Sequence, residues 1–490
     1  MDIEKDKGMV MVMLDELVRR YRQMPQGVKA SFWTVVSSVL LKGISFITLP
    51  IFTRLLTTSE YGILSIYTSW VSLLSILLTF TVWGGVFNVG MVKYPNRARF
   101  VSAIQGMSVT SVMVAGCISM FFLHPISQWL GMNEFLVVCM FVEILATIPF
   151  NIWVVEQTFD FIYQKKIIIT ICLSVLNPLL GYIGIVTFPW HVEAKVLSGL
   201  LPQVVIGLFF FWQQQRRGEV FFDKKIWRYV FGFNAVLILH YLSMQVLNQS
   251  DRIMINDLVG SSKAGIYSVA YTFAMLLNLV ANGMNSSLTA YVYRCLKSGH
   301  TEKLAQINNI AALFVGACAL VLICIVPDVF RFMLPKSYHE ALWIVPPVTL
   351  AAYYMFLYPM FGAVEFYYEV NHYVTIASCV GAVLNVVLNA LLIPMFGYVA
   401  AAYTTLLCYV CFALCHYYFM KCVLMKNGEH KSIFNGRRLF KNSLILSMLC
   451  FMVLVFYEDD FYRWIFIMVI VAMLVYKKQS FIDTLLVIRK

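Results

Sequence analysis

Residues 31–53 read Ser31-Phe-Trp-Thr-Val-Val-Ser-Ser38-Val-Leu-Leu-Lys42-Gly-Ile-Ser45-Phe-Ile-Thr-Leu-Pro50-Ile-Phe-Thr53, with Lys42 as the one charge. As a helix, a run of this length rises about 35 Å. That spans the roughly 30 Å hydrocarbon core of a bilayer. A transmembrane β-strand would need only about 10 residues and would alternate apolar with polar side chains; this stretch does not alternate. Working outward, similar runs recur at about 61–82, 100–123, 134–157, 166–188, 195–213, 229–256, 264–291, 304–327, 341–364, 373–393, 399–421, 440–457 and 461–477. The expected fold is therefore all-α: a polytopic membrane protein with about 14 transmembrane helices.

Composition agrees. Hydrophobic residues make up 60% of the chain and charged residues 13%, against about 25% charged in soluble proteins. The mean hydropathy is +0.77. The twelve cysteines lie in or beside apolar runs, with Cys408, Cys411 and Cys415 on one helix face; they read as small packing residues, not as a metal site. No cleavable signal peptide is expected from Met1 to Leu14, and residues 8–22 read as a surface amphipathic helix or a tail. The net charge of +12 is spread over the segments between runs, which is a topology signal and not a nucleic-acid patch. Arg19, Arg20, Arg97, Arg99, Lys165, Lys166, Arg216, Arg217, Lys224 and Lys225 fall on one side; the other holds few, among them Arg54, Lys195, Arg252, Lys263, Arg331 and Arg463. Both termini are thereby placed in the cytoplasm. The 365–372 loop, with Glu365 and Glu369, is the exception. Non-cytoplasmic loops are short, and P-loop, His-Glu-x-x-His and Gly-x-Ser-x-Gly signatures are missing, so neither an enzyme nor a cofactor is expected.

A shift of 203 residues lays Ser59-Glu-Tyr-Gly62-Ile-Leu-Ser65-Ile66 over Ser262-Lys-Ala-Gly265-Ile-Tyr-Ser268-Val269. Polar helix faces superpose as well: Ser38, Lys42 and Ser45 over Tyr241, Gln245 and Asn248, extended by Arg252; and Thr68, Ser72, Ser75 and Thr79 over Tyr271, Met275, Asn278 and Asn282. Val175-Leu-Asn177 is echoed by Val383-Leu-Asn385 at a slightly different shift. The chain thus divides into a cytoplasmic segment (1–28), a first six-helix half (29–218), a second (219–425) and a C-terminal helix pair with a tail (426–490). Six is even, so the two bundles are parallel repeats, an arrangement transporters use with substrate between the halves.

A lysine at the bilayer centre costs roughly 3 kcal/mol or more unless it meets water or a partner. Lys42, with Ser38 and Ser45 on its face, is expected to look into a polar cavity and suit an anionic group such as phosphate; the alternative is a structural ion pair. Glu143 is a candidate for ion coupling or for that pairing with Lys42. Arg54, Asp251 and Arg252, near the outer ends of their spans, are headgroup contacts or interfacial anchors, with Asp251 also a coupling candidate. Gln245, Asn248, Asn278 and Asn282 complete the substrate-binding set. Pro50, Pro149, Pro178, Pro346, Pro347 and Pro359 mark expected kinks.

The stretch from Leu41 to Gly62, with Pro50-x-x-x-Arg54 followed by Glu60-Tyr61-Gly62, resembles the opening of the Wzx-type polysaccharide flippases of the multidrug/oligosaccharidyl-lipid/polysaccharide exporter superfamily. The Ile393-Pro394-Met-Phe-Gly397 turn is similar too, and the last two spans resemble the extra pair of some members. The resemblance implies a flippase moving polyprenyl-pyrophosphate-linked oligosaccharide units across the bacterial cytoplasmic (inner) membrane for O-antigen, capsule or exopolysaccharide synthesis. It implies alternating access around a cationic cavity, with H+ or Na+ as coupling ion. Implied partners are the lipid-linked oligosaccharide, membrane lipids, and a polysaccharide polymerase with its chain-length regulator. A multidrug-type exporter, a lipid II flippase and a membrane-embedded glycan polymerase stand as alternatives.

Overall fold

The computed structural model describes residues 23, 25–299, 301, 303–428, 434–476 and 479; the expected amphipathic segment at 8–22 lies outside them. The helices are α1 (Gln26–Leu55), α2 (Thr58–Thr79), α3 (Gly85–Lys93), α4 (Arg97–Phe121), α5 (Leu123–Leu130), α6 (Glu134–Phe159), α7 (Tyr163–Thr187), α8 (His191–Gly218), α9 (Lys224–Leu258), α10 (Ser261–Ala274), α11 (Leu277–Ser298), α12 (Leu304–Met333), α13 (Val345–Tyr367), α14 (Asn371–Phe396), α15 (Ala400–Lys426), α16 (Gly436–Val455) and α17 (Asp460–Tyr476), with a 3-10 turn at Lys336–Trp343. No strand occurs among the described residues.

Eleven of these helices are long and apolar enough to cross a membrane, and two bent pairs raise the number to 13. One pair is α9, bent by 51° between its Lys224–Ala235 and Leu237–Leu258 parts; the other is α10 with α11, bent by 44°. The expected fourteenth span is α17, shorter at 17 residues. The outward faces confirm the solvent. Leu201, Val205 and Leu208 on α8, and Val383, Val387 and Leu391 on α14, recur at helical spacing and are exposed. An apolar surface that extensive does not persist against water; lipid covers it. This is a multi-pass membrane protein.

The repeat reappears as geometry where α2 crosses α10. Thr58 Oγ1 lies 2.7 Å from Ser262 Oγ, and Ser59 Oγ lies 2.6 Å from Ser261 Oγ. Under the 203-residue shift, Thr58 corresponds to Ser261 and Ser59 to Ser262, so the two bonds are each other's image. Ser65 hydrogen-bonds its own counterpart Ser268, which only residues on a two-fold axis can do. Gly62 packs on the carbonyl of Ser261, and Gly265 on the carbonyl of Thr58, so closely that a Cβ at either position would overlap that oxygen. Glu60 supports the seam from outside it. It closes a capping box with Thr57 at the start of α2, and its other oxygen lies 2.9 Å from His191 of α8.

The C-terminal pair is fastened by charge. Arg463, expected in an outer loop, is fully buried. It donates to Asp328 of α12 at 2.7 Å and pairs with Asp460 at 2.8 Å, while Arg331 binds Asp460 at 2.6 Å. The short acidic turn before α17 is thus a clasp onto α12.

Replacing Gly62 or Gly265 with alanine forces α2 and α10 apart. Each variant is expected to lose about 1–3 kcal/mol, the usual penalty of overpacking. The double variant should lose less than the sum, because both changes disrupt one contact. Thermal melting of detergent-purified protein checks this; unchanged midpoints would mean the seam is not tight.

Candidate functional site

Beneath the α2–α10 seam lies a cavity of about 380 Å³, lined from both repeats. Tyr67 (α2), Glu143 (α6) and Lys195 (α8) face it from one side, and Gln249 and Arg252 (α9) with Ser268 (α10) from the other. The phenol of Tyr67 donates to Glu143 Oε2 at 2.6 Å. Lys195 Nζ donates to Asn177 Oδ1 of α7 at 2.6 Å and stands 4.6 Å from the centre of the Phe52 ring. The guanidinium of Arg252 donates to the Asn248 carbonyl at 2.9 Å and to Gln249 Oε1, and lies over the Tyr271 ring at 4.3 Å. Ser69 donates to the same Gln249 oxygen at 3.1 Å, tying α2 to α9. The cavity therefore presents two held cations, each with donors still free to meet a ligand, and one carboxylate that accepts from Tyr67. Tyr61 lines the cavity and meets Tyr338 edge-on, with centroids 6.2 Å apart.

The remaining candidates fall into separate places. Lys42, Ser38 and Ser45 are exposed and do not line the cavity. The two hydroxyls bond back to their own helix, Ser38 to the Thr34 carbonyl at 2.8 Å and Ser45 to that of Leu41 at 3.0 Å. Their face is nonetheless the one that meets the other repeat. Phe46 packs edge-on against Phe273, and Leu49 joins a buried cluster with Ile255 and Ala264. Lys42 lies between these two residues in angle but nearer the start of α1, where the helices part. The Lys42–Glu143 pairing does not form, since the partner of Glu143 is Tyr67. Arg54 is exposed and donates to the Phe332 carbonyl at 3.3 Å, a clasp at the far end of α1.

Gln245, Asn278 and Asn282 also lie off the cavity wall, with Gln245 and Asn278 half-buried and Asn282 exposed. Asn278 donates to Met275 Sδ at 2.9 Å. Asn248 accepts from Tyr271 at 3.1 Å and Tyr409 at 3.0 Å. Asp251, expected near the outer surface, is fully buried. One of its oxygens accepts from Tyr267 and Thr405, both at 2.6 Å, and the other from Asn389 at 2.7 Å and Asn385 at 3.3 Å. Glu365 is not in a loop either: α13 runs past it to Tyr367, and it is buried against His416 of α15.

Sequence reading missed Lys195, Asn177, Gln249 and Tyr67. A span that begins at Lys195 makes that lysine a loop charge. In fact α8 starts at His191, which carries Lys195 a full turn inward. The available signal was Asn177, noticed only as an echo of Asn385.

Among proteins of known family, residues 28–292 match the model of a family described as polysaccharide biosynthesis protein. A Haemophilus influenzae protein of the Lsg locus is 24% identical over 380 residues, which is 73% of this chain and 89% of that one. Among solved structures, the lipid II flippase MurJ in an inward closed conformation aligns with a TM-score of 0.68 at 13% identity, covering 90% of this chain and all of the other. An inward-facing multidrug resistance MATE transporter of the MOP superfamily aligns at 0.64 and 12% identity, covering 80% and 96%. At such identities the likeness shows the fold alone, and it is the fold of transporters and flippases.

The four donors around Asp251 make a sharp test. Asp251→Leu leaves the Tyr267 and Thr405 hydroxyls buried without an acceptor, each costing about 1–3 kcal/mol, while Asn389 and Asn385 keep weaker ones. Asp251→Asn keeps one acceptor oxygen. The leucine variant should melt well below the asparagine variant; equal melting would show that the network does not hold α9 to α14 and α15.

Proposed function

The chain belongs to the polysaccharide biosynthesis protein family, and from that premise we propose that it flips a polyprenyl-pyrophosphate-linked oligosaccharide from the cytoplasmic to the outer leaflet of the bacterial inner membrane. Membership in the family implies a lipid-linked sugar as the substrate. The observation that carries the finer reading is the cavity shared by the two repeats, where Lys195 and Arg252 approach from opposite sides. A pyrophosphate has charge for both. Arg252 offers a planar fork and Lys195 a compact point charge, and a low-dielectric site strengthens each contact.

Alternating access fits the seam. Halves 29–218 and 219–425 rock about α2 and α10, whose contacts are serine, threonine and glycine. Such contacts part without baring a large apolar surface. With the N-terminus in the cytoplasm, as the basic segments suggest, the seam closes the outer side. Lys42 then stands in the widening inner cleft as an early contact for the anionic headgroup, with Asn282 and Gln245 as polar lining. Arg54 steadies the outer closure.

Coupling to H+ or Na+ draws on Glu143, which shares the cavity with Lys195, and on Asp251. The asparagines beside Asp251 turn their N–H groups to it; turned over, they would complete with the carboxylate and hydroxyls the hard oxygen set that suits a small cation. A polysaccharide polymerase and its chain-length regulator would take the flipped unit onward toward O-antigen, capsule or exopolysaccharide.

The test is complementation of a deletion strain. At matched protein levels, Lys195→Ala and Arg252→Ala should each lower surface polysaccharide roughly tenfold or more, since a charge-assisted contact is worth about 1.5–3 kcal/mol. Lipid-linked precursor should accumulate on the cytoplasmic face. Lys42→Ala should do less. Wild-type surface glycan in both cavity variants would overturn the reading, and drug sensitivity with unchanged glycan in the deletion strain would favour an exporter.

A further inference from the structure

Glu365 stands two residues from the end of α13, and His416 faces it from the middle of α15, away from the cavity between the repeats. Both side chains are fully buried, with Glu365 Oε1 2.9 Å from His416 Nδ1. Their outer atoms, Glu365 Oε2 and His416 Nε2, have no hydrogen-bond partner among the described residues. Buried polar atoms are rarely left so.

The pair has few companions. Tyr358 of α13 and Phe412 of α15 pack on the His416 ring, with centroids 5.4 Å and 4.6 Å away. On α9, His240 has a partner of its own. From α14, Ser378 holds His240 Nδ1 at 2.9 Å. No lysine or arginine is ion-paired with Glu365 among the described residues. Nor do any three His, Cys, Asp or Glu side chains there form a set that could hold a metal ion.

These facts restrict what the pair can bind. One shared proton leaves it neutral overall, and in this low-dielectric interior the acid-with-imidazole form, which separates no charge, is the favoured one. Without that proton a single negative charge is stranded in a low-dielectric interior, which is expensive.

We propose that Glu365 and His416 form a proton-binding site of their own, in which the pair takes up and releases one proton. The proton comes from water, the charge of the pair goes from minus one to zero, and no other bond changes. The site does not depend on what the cavity carries.

Infrared difference spectroscopy of the full chain in liposomes, stepped between about pH 5 and 8, reads this directly. In the wild-type protein the carbonyl stretch of a protonated carboxylic acid should grow as pH falls. That band should vanish in Glu365→Gln, persist in Glu340→Gln, and shift its midpoint by about one pH unit or more in His416→Gln, because coupled groups titrate as a pair. Should Glu365→Gln fail to fold, Glu365→Asp keeps a carboxyl and must move the band's frequency. Superimposable wild-type and Glu365→Gln difference spectra, or a band that does not titrate, would overturn the proposal.

Discussion

The contact on which the rest of this molecule depends is the approach of Gly62 to Gly265. Helix association in lipid gains nothing from excluding water, so it relies on close packing and on hydrogen bonds. Two glycines let the backbones of α2 and α10 meet, and that approach brings Ser65 to Ser268 and the Thr58–Ser59 pair to Ser261–Ser262. Remove the approach and the roof of the cavity goes with it. The cavity below is lined by Ser65 and Ser268 from the two sides of that seam.

Charge in the interior follows one rule. Each intramembrane ion is held by partners that a soluble protein could leave to water. Asp251 has four donors, Arg463 has two carboxylates, Lys195 has Asn177, and Arg252 has a carbonyl, an amide oxygen and an aromatic face. The exceptions are informative. Lys42 is exposed at the side where the helices part, and the Glu365–His416 pair keeps two buried atoms unused. A clasp such as Arg463 between Asp328 and Asp460 stabilises one packing; spare donors, as on Lys195 and Arg252, are free to answer a ligand.

Much of the fold was legible in the chain. Span count came from run length, and the repeat from a register that Gly62 and Gly265, Ser65 and Ser268 share. Arg252 was found as a step on a polar stripe, and it lines the cavity. The stripe logic placed Lys42 less well. It identified the right face but not where along that face the helices separate. Asp251 was read from its distance to a span end, and Arg463 from its place beside a turn; both turned out to be buried.

What the sequence alone determined is what depends on neighbours along the chain: apolar run length, helical periodicity, and the 203-residue register. The tertiary structure decided which charges meet. Glu143 finds Tyr67 at 76 residues' distance, Asp251 finds Thr405 at 154, and Ser69 reaches Gln249 across 180. Such pairings are set by how helices cross and where each begins. A start at His191 instead of Lys195 is one helical turn, about 5.4 Å, and in a membrane that turn separates a loop charge from a cavity wall.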